Sequence, residues 1–466
     1  MSSVKADGPE PASFRDPSGH LFWKDNILRR RINECYRRQY EQLMESGLYA
    51  RLTEKRCLIS HEEEPSTGRS SDPGFKQIIP QRIPFISYPY EWCFSQLKDA
   101  ALLTLRIQNE AAECGMTLKD ASAYNIQFIG SRPILIDTLS FDIEEPGRPW
   151  VAYRQFCQHF IAPLAIMSYT DIRLGQLSRI HVDGVPLDLA ARLLPHRTRL
   201  RLGLLTHIHL HARSQKKHAD RTDVRTLKTR ENALRVLVDH LQSTVSGLEW
   251  APAGTEWGEY YQDTNYSAVA QQHKTELVEQ LIDRTGPSTV WDLGANTGRM
   301  SRLASDRGIA TLAFDVDPAA VEKNYLECKQ KDGTTLLPLL LDLTNPSPAL
   351  GWGHRERASF VERRGSDLVL ALALVHHLAI GNNVPLARVS QFLARLGPWL
   401  LIEFVPKTDT NTARLLATRE DVFPDYHEKG FERAFASRYE IIESHAIHES
   451  KRTLYLMKRR NNSIDD

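Results

Sequence analysis

Asp292, Asp315 and Asp342 each end a short apolar run, and a turn containing Gly294, Asn296 and Gly298 follows the first of them. A carboxylate at a strand end can accept both hydroxyls of a ribose. A glycine turn lets backbone approach a nucleotide-like ligand closely, because no Cβ intervenes. A fourth run, 368–374, delivers Val375-His376-His377, and a fifth, 399–404, carries Glu403. Histidine titrates near neutral pH, so His376 or His377 could take a proton or hold a substrate. Equally, one of the pair could cap the strand or pack on a ligand. Glu403 lies inside an apolar run, where a carboxylate needs a partner such as Lys407 or a substrate group.

These residues can meet only if the runs are neighbouring strands. Seven apolar runs occupy 288–291, 311–314, 336–341, 367–374, 399–404, 439–444 and 453–457, with helical stretches at 299–307, 318–330 and 384–395. Apolar strands alternating with helices imply a parallel sheet covered on both faces. The last two runs, joined by the polar segment 445–452, suit an antiparallel hairpin at the sheet edge. The expected fold is α/β, a Rossmann-like sheet of seven strands over 251–460. Its ligand would sit outside the carboxyl ends of the strands, where strand order switches.

In this setting the residues resemble the class I S-adenosylmethionine-dependent methyltransferases. Asp292-Leu293-Gly294-Ala295-Asn296-Thr297-Gly298 is similar to their first motif and Phe314-Asp315-Val316-Asp317-Pro318 to the second. Leu341-Asp342-Leu343 and the run 367–378 resemble the third and fourth. The resemblance covers roughly the last two hundred residues. It implies S-adenosyl-L-methionine as cofactor, Asp315 on the ribose and Asp342 facing the adenine amino group. Asn296 stands where the family usually has a second glycine, a change the turn tolerates because Asn enters left-handed dihedrals.

A nicotinamide site would want a phosphate-cradling GxGxxG, and only Gly294 and Gly298 are present. Acidic residues suit a sulfonium better than a phosphate. Methyl transfer is an in-line displacement that rests on positioning, with an optional base to take the acceptor proton. The fourth motif is not of the Asn/Asp-Pro-Pro-Tyr type, which favours oxygen or carbon of a small molecule or saccharide over an amino acceptor. The aromatic segment 257–266 resembles segments that fold over the cofactor in this family; packing of its tyrosines on the sheet is the alternative.

The amino-terminal half carries a different pattern. Asp120, then Asn125, then Asp137 resemble the catalytic loop and metal-binding Asp of kinase-like phosphotransferases. A Gly-rich phosphate loop and a Lys-Glu pair are missing, so the resemblance implies a degenerate module that binds substrate or partner. Residues 1–20 read as disordered, 21–180 as an α+β domain and 181–250 as a basic helical connector. Within the α+β domain the patterns suggest helices at 23–44, 90–114 and 150–169, strand-like runs at 77–88 and 126–136, and a loop at 65–74. Between Arg197 and Arg230 basic residues outnumber acidic ones; the stretch could contact RNA, and a solvated helical face is the plainer reading. His207, His209 and His211 would share a face if they lay on a strand. With no Cys or carboxylate at ligand spacing, no metal site is expected.

The remaining composition bounds the partners. With 59 basic and 58 acidic side chains, whole-chain charge argues for neither DNA nor a membrane. Six scattered cysteines without a CxxC pair suit free thiols in a reducing compartment, and no apolar run is long enough to span a bilayer. The expected location is cytoplasmic. Taken whole, the chain also resembles rhizobial host-specific nodulation proteins, more faintly, which would make a lipo-oligosaccharide signal or its precursor the acceptor. The other function classes are an RNA methyltransferase using the basic segment and a non-catalytic binding or scaffold protein.

Overall fold

The computed structural model describes residues 6–65, 74–145, 147–211, 233–252, 266–331, 333–417 and 419–461. The chain forms two compact units: unit 1 is Met1–Ala251 with Ala349–Ala358, and unit 2 is Pro252–Pro348 with Ser359–Asp466. The segment 181–250, expected as a separate connector, therefore belongs to unit 1.

Unit 1 begins with a five-stranded antiparallel sheet. Its strands are β1 (Gly8–Pro9), β2 (Gly19–Lys24), β3 (Ile27–Asn33), β4 (His61–Glu63) and β5 (Gly74–Pro80), ordered β1-β2-β3-β5-β4. Helices α1 (Arg37–Glu45) and α2 (Leu48–Glu54) lie between β3 and β4 in sequence. The opening residues, expected to be disordered, are ordered from residue 6 onward. Leu21 N donates to Ser13 Oγ at 2.8 Å and Trp23 Nε1 to Glu10 Oε2 at 2.7 Å, so a polar arm finds partners on β2. The helix expected over 23–44 is mostly hairpin. Asp25 and Asn26 take φ of 53° and 59°, the two left-handed residues of a tight β-turn, and only the last part is α1.

The helical half of unit 1 is built on α3 (Phe94–Ala112), followed by two small antiparallel pairs. These are β6 (Met116–Leu118) with β9 (Phe141–Ile143), and β7 (Ile126–Ile129) with β8 (Arg132–Leu135). Helices α4 (Tyr153–Phe156) and α5 (Ala162–Tyr169) flank a π-helical turn, and α6 (Ala233–Ser246) packs on α3. His207 and His209 sit in another π-helical turn, not on a strand. His207 hydrogen-bonds Tyr153 at 2.8 Å and His240 at 2.9 Å, while His209 meets Thr198 at 2.9 Å. They are satisfied core residues. Among the described residues no group of His, Cys, Asp or Glu is arranged to hold a metal ion, and no helix is long and apolar enough to cross a membrane. The loop expected at 65–74 and the most basic part of 197–230 lie largely outside the described residues.

Unit 2 is one seven-stranded sheet. After α7 (Ala268–Thr285) come β10 (Thr289–Leu293), α8 (Arg299–Ser305), β11 (Ala310–Asp315), α9 (Pro318–Lys329) and β12 (Leu336–Leu340). Then follow β13 (Leu368–Ala371), α10 (Leu386–Ala394), β14 (Trp399–Phe404), α11 (Thr410–Leu416), α12 (Glu428–Ala436), β15 (Tyr439–Ala446) and β16 (Thr453–Arg459). The order is β12-β11-β10-β13-β14-β16-β15, with the first five strands parallel and the last two joined as an antiparallel edge hairpin. Strand order reverses between β10 and β13, so the carboxyl ends of these two frame the switch point. Parallel strands need apolar faces on both sides, and β10 and β13 are buried along nearly their whole length. Edge strand β15 instead alternates buried or half-buried with exposed residues. Caps fix the helices that follow the strands: Asp317 accepts from Ala319 N and Ala320 N at the start of α9, with Pro318 in its first turn.

Candidate functional site

The turn after β10 holds its shape through three residues with positive φ: Gly294 at 75°, Asn296 at 50° and Gly298 at 79°. Asn296 thus takes the left-handed conformation that its place in the turn demands. Gly298 opens α8, and a Cβ there would run into the Asn324 side chain, which excludes even alanine without displacement. Asp315, at the end of β11, pins the turn from beside it. Its Oδ2 accepts from Asn296 N at 2.7 Å and its Oδ1 from Asp317 N at 2.9 Å. Asp292 Oδ2 accepts from Ser301 Oγ at 2.6 Å.

A cavity of about 270 Å³ opens at the switch point. Asp292, Gly294, Asn296, Asp315 and Asp342 line it, joined by His377 and the apolar Met300, Leu341 and Leu374. Gly298 is not in the wall; it shapes the turn. Asp342 is exposed and forms its own small turn, accepting from Thr344 N at 2.8 Å and Thr344 Oγ1 at 2.6 Å. Asp342 therefore both lines the cavity and holds a local turn.

Burial raises Asp292 to about 6 against the hydrogen bond from Ser301, and it raises Asp315 to about 6 against the backbone N–H groups of Asp317 and Asn296. Two carboxyls held up by desolvation would be stabilised as anions by a cation or by hydroxyl donors. A ligand that needs both ionised should bind well above pH 6 and progressively more weakly below it. Each carboxyl that must lose a proton costs about tenfold in affinity per pH unit. Titration calorimetry from pH 8 to pH 5 checks this; affinity that is flat or rises toward pH 5 contradicts it.

Of the paired histidines only His377 reaches the cavity. His376 is completely buried, and neither ring nitrogen has a hydrogen-bond partner among the described residues. The two rings lie 4.0 Å apart. Burial, followed by the charge of Arg452, lowers His377 to about 4; burial, His377, Arg452 and Lys274 push His376 well below the ordinary range. Both are neutral at pH 7. The strand expected to run to 374 stops at Ala371, because Ala373 adopts φ of 51° and turns the chain into a π-helical turn at His377–Gly381. A non-glycine residue held there is strained, and such strain gathers at sites that need a fixed side chain.

Glu403 does not line the cavity, contrary to the expectation that it meets the acceptor. It is fully buried, and its partner is not Lys407, which pairs with Asp421 at 2.7 Å. Lys274 Nζ donates to Glu403 Oε2 at 2.6 Å, Arg452 Nη1 to Oε1 at 3.3 Å, and the Tyr266 hydroxyl also donates to Oε1. Arg452 in turn grips Asp409 with Nε at 2.7 Å and Nη2 at 3.1 Å. Burial alone would raise Glu403, but Lys274 and Arg452 outweigh it and bring the carboxyl down to about 2. Two cations and two anions compensate each other inside the fold.

That network matters to the site because Tyr266, Gln271 and Lys274 form one wall of the cavity. None was singled out as a site residue from sequence. Tyr266 closes the aromatic segment 257–266, whose other residues lie outside the described ones except for its end. Lys274 sits on a long helix whose charged residues carry no local sign of burial.

No family model matches the chain. It is 37% identical to the nodulation protein NoeA of Rhizobium meliloti (strain 1021), over 98% of each chain. Among solved structures it resembles the magnesium protoporphyrin IX methyltransferase of Synechocystis PCC 6803 with bound SAH. The TM-score is 0.32 and the identity 17%, over 44% of this chain and 93% of that one. It also resembles the N-methyltransferase NodS of Bradyrhizobium japonicum WM9, with a TM-score of 0.31 and 11% identity, over 41% of this chain and 98% of that one.

Proposed function

The chain belongs to the family of the nodulation protein NoeA, and we propose that it acts there as a methyltransferase using S-adenosylmethionine. The observation that carries this reading is the convergence of Asp292, Asp315 and Asp342 with a positive-φ turn at the switch point of the unit 2 sheet. Cavity chemistry fits the cofactor. Buried carboxylates suit hydroxyl donors and a cationic centre, and Lys274, the one lysine in the wall among the described residues, is engaged by Glu403 instead of standing ready for a phosphate. Asp315 holds the ribose hydroxyls, Asp342 faces the adenine amino group, and the turn at Gly294–Gly298 supplies close backbone. The cofactor, when bound, supplies an electrophilic methyl group.

This chain's residues orient and deprotonate the acceptor. His377, neutral and facing the cavity, takes the acceptor proton, while His376 and the Glu403 network hold the walls behind it. An oxygen or carbon of a small molecule or saccharide is the acceptor, and the family's link to nodulation favours a saccharide signal or its precursor. Replacing His377 by alanine should lower kcat about a hundredfold or more while leaving cofactor affinity within about threefold. With His377 at about 4, kcat at saturating cofactor should stay flat from pH 8 to pH 5 and fall only below that. A rate that climbs through pH 6.5 contradicts the assignment.

Acceptor class is tested by transfer of labelled methyl from S-adenosylmethionine into cell extract, fractionated into small molecules, saccharides and RNA. Label in the saccharide or small-molecule fraction is expected; label confined to RNA overturns this part of the proposal.

For unit 1 we infer a likeness to kinase-like phosphotransferases. The five-stranded antiparallel sheet followed by α3 supports it, as does the order of Asp120, Asn125 and Asp137 around the β7–β8 hairpin.

A further inference from the structure

One turn of unit 1 presents apolar and cationic side chains together, and methyl transfer uses neither. His196–Leu200 is a short 3-10 helix, followed directly by Arg201 and Leu202. Its inner side is fixed. Thr198 is fully buried; its Oγ1 donates to Pro195 O at 2.7 Å and meets His209 Nε2 at 2.9 Å. Arg201 N donates to Thr198 O at 3.1 Å and Leu205 N to Arg201 O at 2.8 Å, which ties the turn to the helical run behind it. Its outer side faces solvent. Leu200 is 88% exposed and Leu202 68%, and Arg197, Arg199 and Arg201 are exposed beside them.

We propose that this turn docks on a membrane surface carrying anionic lipids, with Leu200 and Leu202 inserted at the acyl boundary and the arginines among the headgroups. Single exposed leucines are ordinary on a protein surface. Two on one rigid turn, interleaved with three arginines, are not scattered. The arginines also lack the usual compensation. Elsewhere in unit 1, exposed Arg37, Arg148 and Arg173 pair with carboxylates three, four or two residues away. Between Asp188 and Asp220 the sequence holds no acidic residue, and Arg199 and Arg201 have no carboxylate partner among the described residues. Arg197 meets only the Tyr169 ring, 5.9 Å from its centroid. Whole-chain charge is balanced, so the attraction is local. Arginines alone would suit any polyanion, and the leucines decide between them. An RNA backbone offers a leucine no apolar burial, and 195–202 has no Phe, Tyr or Trp on which a base stacks. A bilayer interface offers both phosphates for the guanidinium groups and hydrocarbon for the leucines. The inference stands on unit 1, so its failure leaves the methyltransferase reading intact.

Co-sedimentation of the full chain tests it, with vesicles of phosphatidylcholine alone and of phosphatidylcholine mixed with phosphatidylglycerol. The parent chain should bind the anionic vesicles about tenfold or more tightly than the neutral ones. Leu200→Ser with Leu202→Ser should weaken binding to anionic vesicles about tenfold or more, because the apolar burial is lost. Arg199→Gln with Arg201→Gln should weaken it to a similar degree and flatten its dependence on salt. All four side chains are exposed, so thermal unfolding of both variants should match the parent. Vesicle binding that is absent, equal on neutral and anionic lipid, or unchanged in the leucine variant overturns the proposal. A chain that ignores vesicles but binds polyuridylate RNA, with loss only in the arginine variant, overturns it in favour of RNA. Self-association in sedimentation velocity that the leucine variant abolishes, again without vesicle binding, overturns it in favour of a second copy.

Discussion

Replacing Asp315 by alanine is expected to lower affinity for S-adenosylmethionine by about two orders of magnitude or more. The two charge-assisted hydrogen bonds proposed between Asp315 and the ribose hydroxyls would contribute about 1.5–3 kcal/mol each, and each 1.4 kcal/mol is tenfold in affinity. The same substitution strips the acceptors from Asn296 N and Asp317 N, so the turn that approaches the cofactor loses its anchor. Leaving those buried donors unpaired costs roughly 1–3 kcal/mol apiece in stability. Affinity should therefore be measured by calorimetry well below the midpoint of thermal unfolding. An Asp315→Ala protein that is folded and binds within about threefold of the parent contradicts the placement of the ribose.

The largest effect on stability is expected at Glu403. Its removal takes from the buried Lys274 the carboxylate it pairs with, and from Arg452 one of the two carboxylates it pairs with. Breaking a buried pair in this way typically costs about 3–5 kcal/mol. Glu403→Ala should thus shift chemical denaturation to much lower denaturant, and Glu403→Gln should do the same to a smaller degree because it keeps the hydrogen bonds to Tyr266 and Lys274 partly satisfiable. The pH dependence follows from the depressed carboxyl. With a folded value of about 2 against an ordinary 4.5, the stabilisation is fully present above pH 4.5 and is lost as pH falls toward 2. A loss under 1 kcal/mol at pH 7, or parent and variant that lose stability equally between pH 4.5 and pH 2, contradicts this role.

The course of the unit 2 strands was legible because parallel strands buried on both faces leave uninterrupted apolar runs. β10 to β14 lie within a few residues of the runs read from sequence. The discrepancy at β13 has a local cause: Ala373 turns left-handed, and nothing in Leu372-Ala373-Leu374 announces a positive φ. Asp292 and Asp315 were readable since each directly ends an apolar run. Glu403 was readable as anomalous but not as structural, because its partners Lys274 and Arg452 lie far away in sequence. Lys274 and Gln271 gave no such local sign, whereas Tyr266 ends the aromatic segment 257–266 that was read as folding over the cofactor or packing on the sheet. In unit 1 the misread helix over 23–44 shows apolar spacing overruled by a turn. Asp25-Asn26 was the available signal, since these residues tolerate left-handed backbone.

Equilibrium binding to unit 2's cavity is the most direct test of the central claim. Calorimetry of the full chain should be run with S-adenosylmethionine, S-adenosylhomocysteine and NAD side by side at pH 8. Saturable one-site binding of the first two, with NAD bound at least about a hundredfold more weakly, is the predicted result. Absence of binding by S-adenosylmethionine, or NAD binding as tightly, would contradict a methyl-donor pocket at Asp292, Asp315 and Asp342.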